Sequence, residues 1–189
     1  MLSDYKNEIT RLISEKDTGI YHAMNKGLFH ATGEYILFMN GGDKFFDRDI
    51  LEIINKSPNA DIIYGNILTD EKVISPIKVL SKHWLLTNML PTQATFYKKI
   101  LFEKVGKYDE KYKIAGDYEM HVRLFSYLKP ICHYTNCTLA NFKSGGISNN
   151  QKFRKLKKRE NHQIRHHYFK KYRLSLKSIR QSLREIFES

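Results

Sequence analysis

Cysteine is scarce in this chain, and neither of its two thiols lies at the spacing of a metal site. The 189 residues include only Cys132 and Cys137, five positions apart. Secreted domains of this size often carry a larger even set of cysteines for disulfide bonds. The cysteine content therefore argues against a disulfide-stabilised secreted domain, and it predicts two free thiols in or near strands.

Long apolar runs are also missing. No segment approaches the ~18 apolar residues that a membrane-spanning helix needs. The first ten residues, MLSDYKNEIT, contain no apolar stretch typical of a signal peptide. The sequence therefore predicts a cytoplasmic protein and leaves open peripheral contact with the inner face of the membrane.

The positive charge is concentrated at one end of the chain. Residues 1–150 hold 19 Lys and Arg against 17 Asp and Glu, whereas residues 151–189 hold 13 against 3. This predicts a nearly neutral domain over 1–150 and a basic helical tail over 151–189. Two interpretations of the tail stand side by side: contact with an anionic membrane surface, or helices packed on the sheet with a solvated basic face. Binding of nucleic acid would rest on charge alone and is not predicted.

A helix followed by a buried strand is predicted between residues 20 and 39. Apolar residues recur at helical spacing at Ile20, Ala23, Met24, Leu28 and Ala31. After Thr32 and Gly33, the nearly unbroken apolar run from Tyr35 to Met39 is typical of a strand buried on both faces. This order predicts a parallel sheet flanked by helices.

Further strands are predicted downstream. Asp61 to Asn66 is read as a strand, and residues 67–74 as its hairpin partner. Gln93 to Tyr97 is predicted to be a strand, while Ile131 to Thr135 and Thr138 to Phe142 are predicted to form a hairpin.

The turn from Asn40 to Asp43 follows the first predicted strand. Ligands of open α/β sheets bind beyond the carboxyl ends of the strands. Two glycines allow a tight turn, and the Asp43 carboxylate is a hard oxygen ligand suited to Mg²⁺ or Mn²⁺. The turn alone favours an ordinary connection in which Asp43 caps the next element.

A second acidic residue, Asp117, lies at the start of a predicted helix. Tyr118, Val122 and Phe125 recur at helical spacing, which places Asp117 at or just before the first turn. The residues alone favour a helix cap, because Asp is a preferred N-cap. The other interpretation is a general base that removes a proton from an attacking hydroxyl.

The stretch EKDTGIYHAMNKGLFHATGEYILFMNGGD, residues 15–43, resembles the middle of the nucleotide-sugar-dependent glycosyltransferases of family 2. The resemblance continues through LPTQATFYKKILFEKVGKYDEKYKIAGDYEMHVRL and ends near residue 148. It implies a GT-A-like, Rossmann-like α/β fold, with a mostly parallel sheet flanked by helices and a C-terminal helical tail. The N-terminal strand, helix and strand of the family are expected to be lacking.

The resemblance also implies a reaction and a site. A sugar would pass, with inversion, from a nucleotide diphosphate sugar to a glycan or lipid-linked acceptor in surface polysaccharide synthesis. Asp117 would be the catalytic base, and Asp43 would be the ligand of Mg²⁺ or Mn²⁺. The residues implied in donor binding are Asp17, Asn25, Lys26, Asn40, Gly41, Gly42 and Gln93. The sequence departs from the family at His22, where Asp is usual, and at Thr92, where His is usual.

Two alternatives accompany this interpretation. A missing front end would remove a unit of roughly 30 residues and expose an apolar sheet edge. The chain is therefore also consistent with a truncated, non-catalytic fragment or with half of a split enzyme. Separately, His162 and His166 are four residues apart, but no acidic or cysteine partner lies at motif spacing, so exposed histidines are favoured over a metal site.

Overall fold

The computed structural model describes residues 9–70, 72–143, 151–173, 180, 183 and 184. The helices are α1 (Ile20–His30), α2 (Ile50–Lys56), α3 (Lys99–Val105), α4 (Gly116–Tyr127), α5 (Arg154–Tyr168) and α6 (Lys170–Arg173). The strands are β1 (Tyr35–Ile36), β2 (Lys44–Phe45), β3 (Ile62–Leu68), β4 (Val73–Ile74), β5 (Thr95–Lys98) and β6 (Cys132–Asn141). Short 3₁₀ turns cover Trp84–Leu86, Thr92–Ala94 and Gln151–Phe153.

The strands form one mixed sheet in the order β1-β5-β3-β6-β2, and β4 pairs with β3 outside that path. Only β3 and β6 run parallel among the described pairs, so the expected mostly parallel sheet is wrong in strand direction. An apolar run predicts burial but carries no information about the direction of the neighbouring strand. Here residues 75–94 return the chain from β4 to β5 without the crossover α-helix that usually joins parallel strands.

The predicted hairpin over residues 131–142 is a single strand, β6. Asn136 adopts a left-handed conformation (φ 57°), and the register against β3 shifts between Tyr64 and Ile67. The residues that suggested a turn therefore form an irregularity within one strand, because both halves of β6 pair with β3. Gly65 lies at this irregularity, where a Cβ would come within 2.6 Å of the Cys137 carbonyl oxygen.

The predicted helix before β1 is present as α1, but its buried face differs from the predicted one. Tyr21, Asn25 and Leu28 are buried, while Ile20 is 40% exposed. After β1 the ladder ends at Ile36, although Phe38 remains packed in the core.

The core consists of two clusters on opposite faces of β3, because successive side chains of a strand alternate between faces. Ile62 and Tyr64 belong to the larger cluster and Ile63 to the smaller one. Ile164 of α5 is fully buried in the larger cluster. Helix α5 therefore packs on the body of the protein, and the division at residue 150 stays a prediction.

Within the described part of the chain, no helix is both long enough and apolar enough to cross a bilayer.

Candidate active site

A cavity of about 350 Å³ opens where the loop after β1, the 3₁₀ turn before β5, the start of α4 and one face of α5 meet. Asn40, Gln93 and Asp117, each predicted from the sequence as a site residue, all line it. The fold thus brings together three residues that are up to 77 positions apart in the chain. Its lining also includes the apolar side chains of Ile74, Trp84, Met89 and Phe142.

Asp117 is the second residue of α4. The N-cap position belongs to Ala115, so Asp117 lies inside the first turn, where the helix dipole favours an anion. Its Oδ1 accepts hydrogen bonds from the Tyr118 backbone N–H (2.8 Å) and from the Tyr21 hydroxyl (3.3 Å). Burial raises the pKa of the Asp117 carboxyl, and the Tyr118 N–H, the Lys157 charge and the Tyr21 hydroxyl oppose that rise. A carboxylate with a raised pKa is a stronger base than an ordinary aspartate.

Asn40 and Asp43 are joined across their own turn. The Asp43 N–H donates to the Asn40 carbonyl oxygen (3.0 Å), and the Asn40 N–H donates to Asp43 Oδ2 (3.2 Å). Gly42 has a φ of 99°, a conformation that favours glycine, and Gly41 is exposed beside it. Asn40 lines the cavity, whereas Asp43 is not among the residues that line it. Burial raises the pKa of Asp43 against the hydrogen bonds from Asn40 and Lys143.

One carboxylate with a neighbouring amide is a sparse set of metal ligands. Mg²⁺ is commonly bound by one or two carboxylates together with water and substrate phosphates, and the turn fits a cation held in that way. Across the described residues, no group of three or more His, Cys, Asp and Glu side chains is placed to hold a metal ion.

Asp17 and Lys26 lie outside the cavity, in a charged cluster with Glu15 and His22. The Lys26 ammonium contacts the Asp17 carboxylate and Glu15 Oε1, the latter at 2.7 Å. His22 Nδ1 lies 3.3 Å from Asp17 Oδ1, so the unusual histidine joins the same cluster. The hydrogen bond from Lys26 holds the pKa of Asp17 below its usual range. Donor contact by Asp17 and Lys26 stays a prediction.

Asn25 is buried under the loop between α3 and α4. Its amide nitrogen donates to the Tyr108 carbonyl oxygen (3.0 Å) and to Glu110 Oε1 (2.8 Å), and its Oδ1 accepts the Tyr108 N–H (2.9 Å). These bonds hold the loop against α1. Asn25 therefore has a structural role, and its role in donor binding stays a prediction.

Helix α5 carries three site residues that sequence reasoning missed: Lys157 and Asn161, which line the cavity, and Glu160. Glu160 is 4% exposed and accepts the backbone N–H groups of residues 113, 114 and 115 at 2.8, 3.0 and 2.8 Å. It thereby fixes the segment that leads into α4. The available signal was that Glu160 is the only acidic residue between positions 151 and 184.

A second cavity of about 570 Å³ lies on the other side of α4 and α5. Its buried carboxylate, Glu119, already contacts Arg123 Nη2 (3.0 Å) and accepts the Tyr168 hydroxyl (2.6 Å). His162 and His166 line it, and His162 is only 4% exposed, so the predicted exposure is wrong for His162. None of the residues predicted for catalysis, donor binding or metal binding lines this cavity.

Comparison with known proteins shows the family to which the chain belongs. The sequence profile described as "Glycosyl transferase family 2" matches residues 1–127. A "PGL/p-HBAD biosynthesis glycosyltransferase" of Mycobacterium bovis is 28% identical over 155 residues, covering 74% of this chain and 57% of that protein. An uncharacterised glycosyltransferase of Mycobacterium tuberculosis is 29% identical over 147 residues, covering 73% and 55%. The chain spans about half the length of the curated relatives it matches.

Solved structures show the same fold. S. aureus TarS 1–349 superposes with a TM-score of 0.61 at 14% identity, covering 97% of this chain and 64% of that one. The same protein in complex with UDP-GlcNAc superposes with a TM-score of 0.61 at 16% identity, covering 77% and 45%. The predicted GT-A-like α/β fold class is therefore confirmed.

Proposed function

The chain belongs to glycosyl transferase family 2, and from this we propose that it transfers a sugar from a nucleotide diphosphate sugar to an acceptor hydroxyl. The main support for the proposal is that Asn40, Gln93 and Asp117 line the same cavity. The names of the curated relatives and the UDP-GlcNAc bound by TarS support the same reaction class.

In this proposal Asp117 is the general base. Its carboxylate takes the proton of the acceptor hydroxyl while that oxygen attacks the anomeric carbon of the donor. The bond from the anomeric carbon to the diphosphate breaks, and the diphosphate leaves with the electron pair. Attack opposite the leaving group inverts the anomeric configuration. Burial of Asp117 supports this role because it raises the pKa of the base.

The Asn40 to Asp43 turn would hold Mg²⁺ or Mn²⁺ together with the donor phosphates, through the Asp43 carboxylate. Bound there, the cation supplies charge neutralisation for the departing diphosphate. The protein's own contribution is the tight turn, which Gly42 permits through its positive φ.

The acceptor is proposed to be a glycan or a lipid-linked sugar of surface polysaccharide synthesis. The apolar cavity wall formed by Trp84, Met89 and Phe142 supports an acceptor with an apolar portion. Peripheral contact of the basic tail with an anionic membrane belongs to the same proposal.

The proposal is tested by nucleotide release from UDP-, GDP- and dTDP-sugars in the presence of Mn²⁺. Asp43→Ala is expected to reduce release and to raise the Mn²⁺ concentration needed for half-maximal rate. Asp49→Ala, an exposed carboxylate further along the chain, is the matched control. Equal turnover and equal Mn²⁺ dependence in both variants would disprove the metal role of Asp43.

A further inference from the structure

The α5 wall of the cavity carries polar side chains to which the family resemblance assigns no role. Lys157 and Asn161 are four residues apart, so they lie on the same face of the helix, and both line the cavity that contains Asp117. Both lie beyond residue 127, where the match to the family profile ends. The wall is therefore supplied by the C-terminal part of this chain.

Lys157 is the one cationic side chain among the described residues that line the cavity, and Asp117 is the one anionic side chain there. The charge of Lys157 acts on the Asp117 carboxylate. Lys157 also lies in the first turn of α5, where the helix dipole adds a further positive potential. A cavity of this kind offers an anionic ligand a single well-defined cation.

Two buried polar atoms of residues that line the cavity have no hydrogen-bond partner among the described residues: Thr92 Oγ1, from the 3₁₀ turn before β5, and Asn161 Oδ1 of α5. Both residues line the cavity, and Thr92 is only 7% exposed. Buried polar atoms are nearly always hydrogen-bonded in folded proteins, because leaving them unpaired is costly. A ligand rich in hydroxyl groups would satisfy both atoms.

We infer that α5 is a donor-binding wall, in which Lys157 contacts a phosphate and Asn161 with Thr92 hydrogen-bonds hydroxyls of the transferred sugar. This inference rests on the proposed function.

Binding measurements on the full chain test the phosphate contact of Lys157 separately from the sugar contacts of Asn161 and Thr92. Calorimetric titration with UDP, GDP and dTDP identifies the diphosphate that binds, and its nucleoside serves as the uncharged comparison. Lys157→Met is expected to weaken diphosphate binding about tenfold or more and to leave nucleoside binding unchanged, because a charge-assisted hydrogen bond is lost. Lys158→Met, an exposed neighbour on α5 with the same change of charge, is the control.

Asn161→Ala and Thr92→Val test the sugar contact. The ligand is the sugar nucleotide of the diphosphate that binds, which is UDP-GlcNAc if UDP binds. Each variant is expected to bind this sugar nucleotide about fivefold more weakly and to keep its affinity for the diphosphate. Thermal unfolding of each variant shows whether the fold is retained.

The outcomes distinguish this inference from the proposed function. If the diphosphate binds the unaltered chain and has the same affinity for Lys157→Met as for Lys158→Met, the role of α5 in donor binding is disproved. The transferase proposal is not affected by that result. Equal losses for nucleoside and diphosphate would also overturn it, since they indicate a structural role. If no diphosphate and no sugar nucleotide binds the unaltered chain, the proposed function fails, and the inference fails with it.

Discussion

The hydroxyl of Tyr21 donates a hydrogen bond to Asp117 Oδ1 over 3.3 Å, and this contact joins α1 to the first turn of α4. Gly116 makes the contact possible, because a Cβ at that position would lie 2.7 Å from the Tyr21 ring. Tyr21 is itself fixed by stacking on Tyr108, with ring centroids 5.6 Å apart. The proposed base is thus held by a side chain from a distant part of the sequence as well as by its own helix.

Replacing Tyr21 by Phe is expected to change the pH dependence of transfer. The Tyr21 O–H stabilises the ionised Asp117 carboxylate, so its loss raises the pKa of Asp117 further. More of the base is then protonated at low pH, and the acid side of the rate profile moves upward in pH. We expect activity at the acid end to fall about fivefold relative to the plateau, as for the loss of one hydrogen bond. Tyr127→Phe, at an exposed position on α4, should leave the profile unchanged.

Asp117→Asn is expected to lower the rate of transfer strongly and to stabilise the fold at neutral pH. General bases contribute about 10² to 10⁴-fold in rate. Because burial raises the pKa of Asp117, the folded state binds this proton more tightly than the unfolded state does. The carboxyl therefore favours folding at low pH and opposes folding above its folded-state pKa. The uncharged amide of Asn removes the cost of burying the carboxylate, and the melting temperature at pH 7 should therefore be higher in the variant.

Asp109→Asn is the control of opposite sign. Burial acts to raise the pKa of Asp109, but the hydrogen bonds and charge of Lys111 outweigh it and lower the pKa. Its carboxylate therefore favours folding at neutral pH, and Asp109→Asn should lower the melting temperature there. A fall in melting temperature for Asp117→Asn as well would contradict the assigned cost of burying that carboxylate.

Glu160→Gln is expected to destabilise the fold by about 1–3 kcal/mol. The carboxylate accepts three backbone N–H groups, whereas an amide has a single acceptor oxygen and turns its NH₂ toward the remaining donors. Urea unfolding of this variant should be compared with that of Glu52→Gln, at an exposed position on α2. Matching midpoints for the two variants would show that the buried carboxylate is not needed to hold the segment before α4.

His121 should make the fold sensitive to acid. Burial lowers the pKa of His121 to about 4 from an ordinary value of 6.5. The unfolded state therefore binds the proton more readily, and the stability due to neutral His121 is complete above pH 6.5 and is lost as the pH falls toward 4. The loss amounts to about 3 kcal/mol over that range. His121 Nε2 also forms a hydrogen bond with the Tyr97 hydroxyl. This nitrogen can accept the Tyr97 O–H only while the imidazole is neutral.

His121→Gln is the variant that tests this sensitivity, since an amide retains a polar contact to Tyr97 without titrating. The difference in unfolding free energy between pH 7 and pH 4.5 should shrink in this variant. It should stay as in the unaltered chain for His83→Gln, at an exposed position. An undiminished difference in His121→Gln would place the acid sensitivity elsewhere.

Sequence patterns predicted the position of helices and strands better than they predicted which of their residues are buried. The helical period before β1 was sufficient to predict α1, but Tyr21 and Asn25 occupy its buried face in place of Ile20. Both carry polar groups, and their burial depends on hydrogen-bond partners far away in the chain, such as Asp117 and Tyr108. A hydropathy pattern contains no information about those partners.

The candidate site was predicted in part, for a similar physical reason. Asp117 and Asn40 lie beside recognisable local signals, a helix start and a glycine turn, and the fold brings both to one cavity. Lys157 and Asn161 belong to a strongly basic segment that is expected to be solvated. Their position at the cavity results from the packing of Ile164 into the core and from the bonds of Glu160, neither of which the local sequence shows.

The hydrogen bonds from the backbone N–H groups of residues 113–115 to Glu160 limit how chimeric proteins can be built from two relatives. A chimera that inherits its C-terminal helix from one protein and the approach to Asp117 from another would separate an acceptor from its three donors. Grafts intended to alter sugar choice should therefore transplant both segments together.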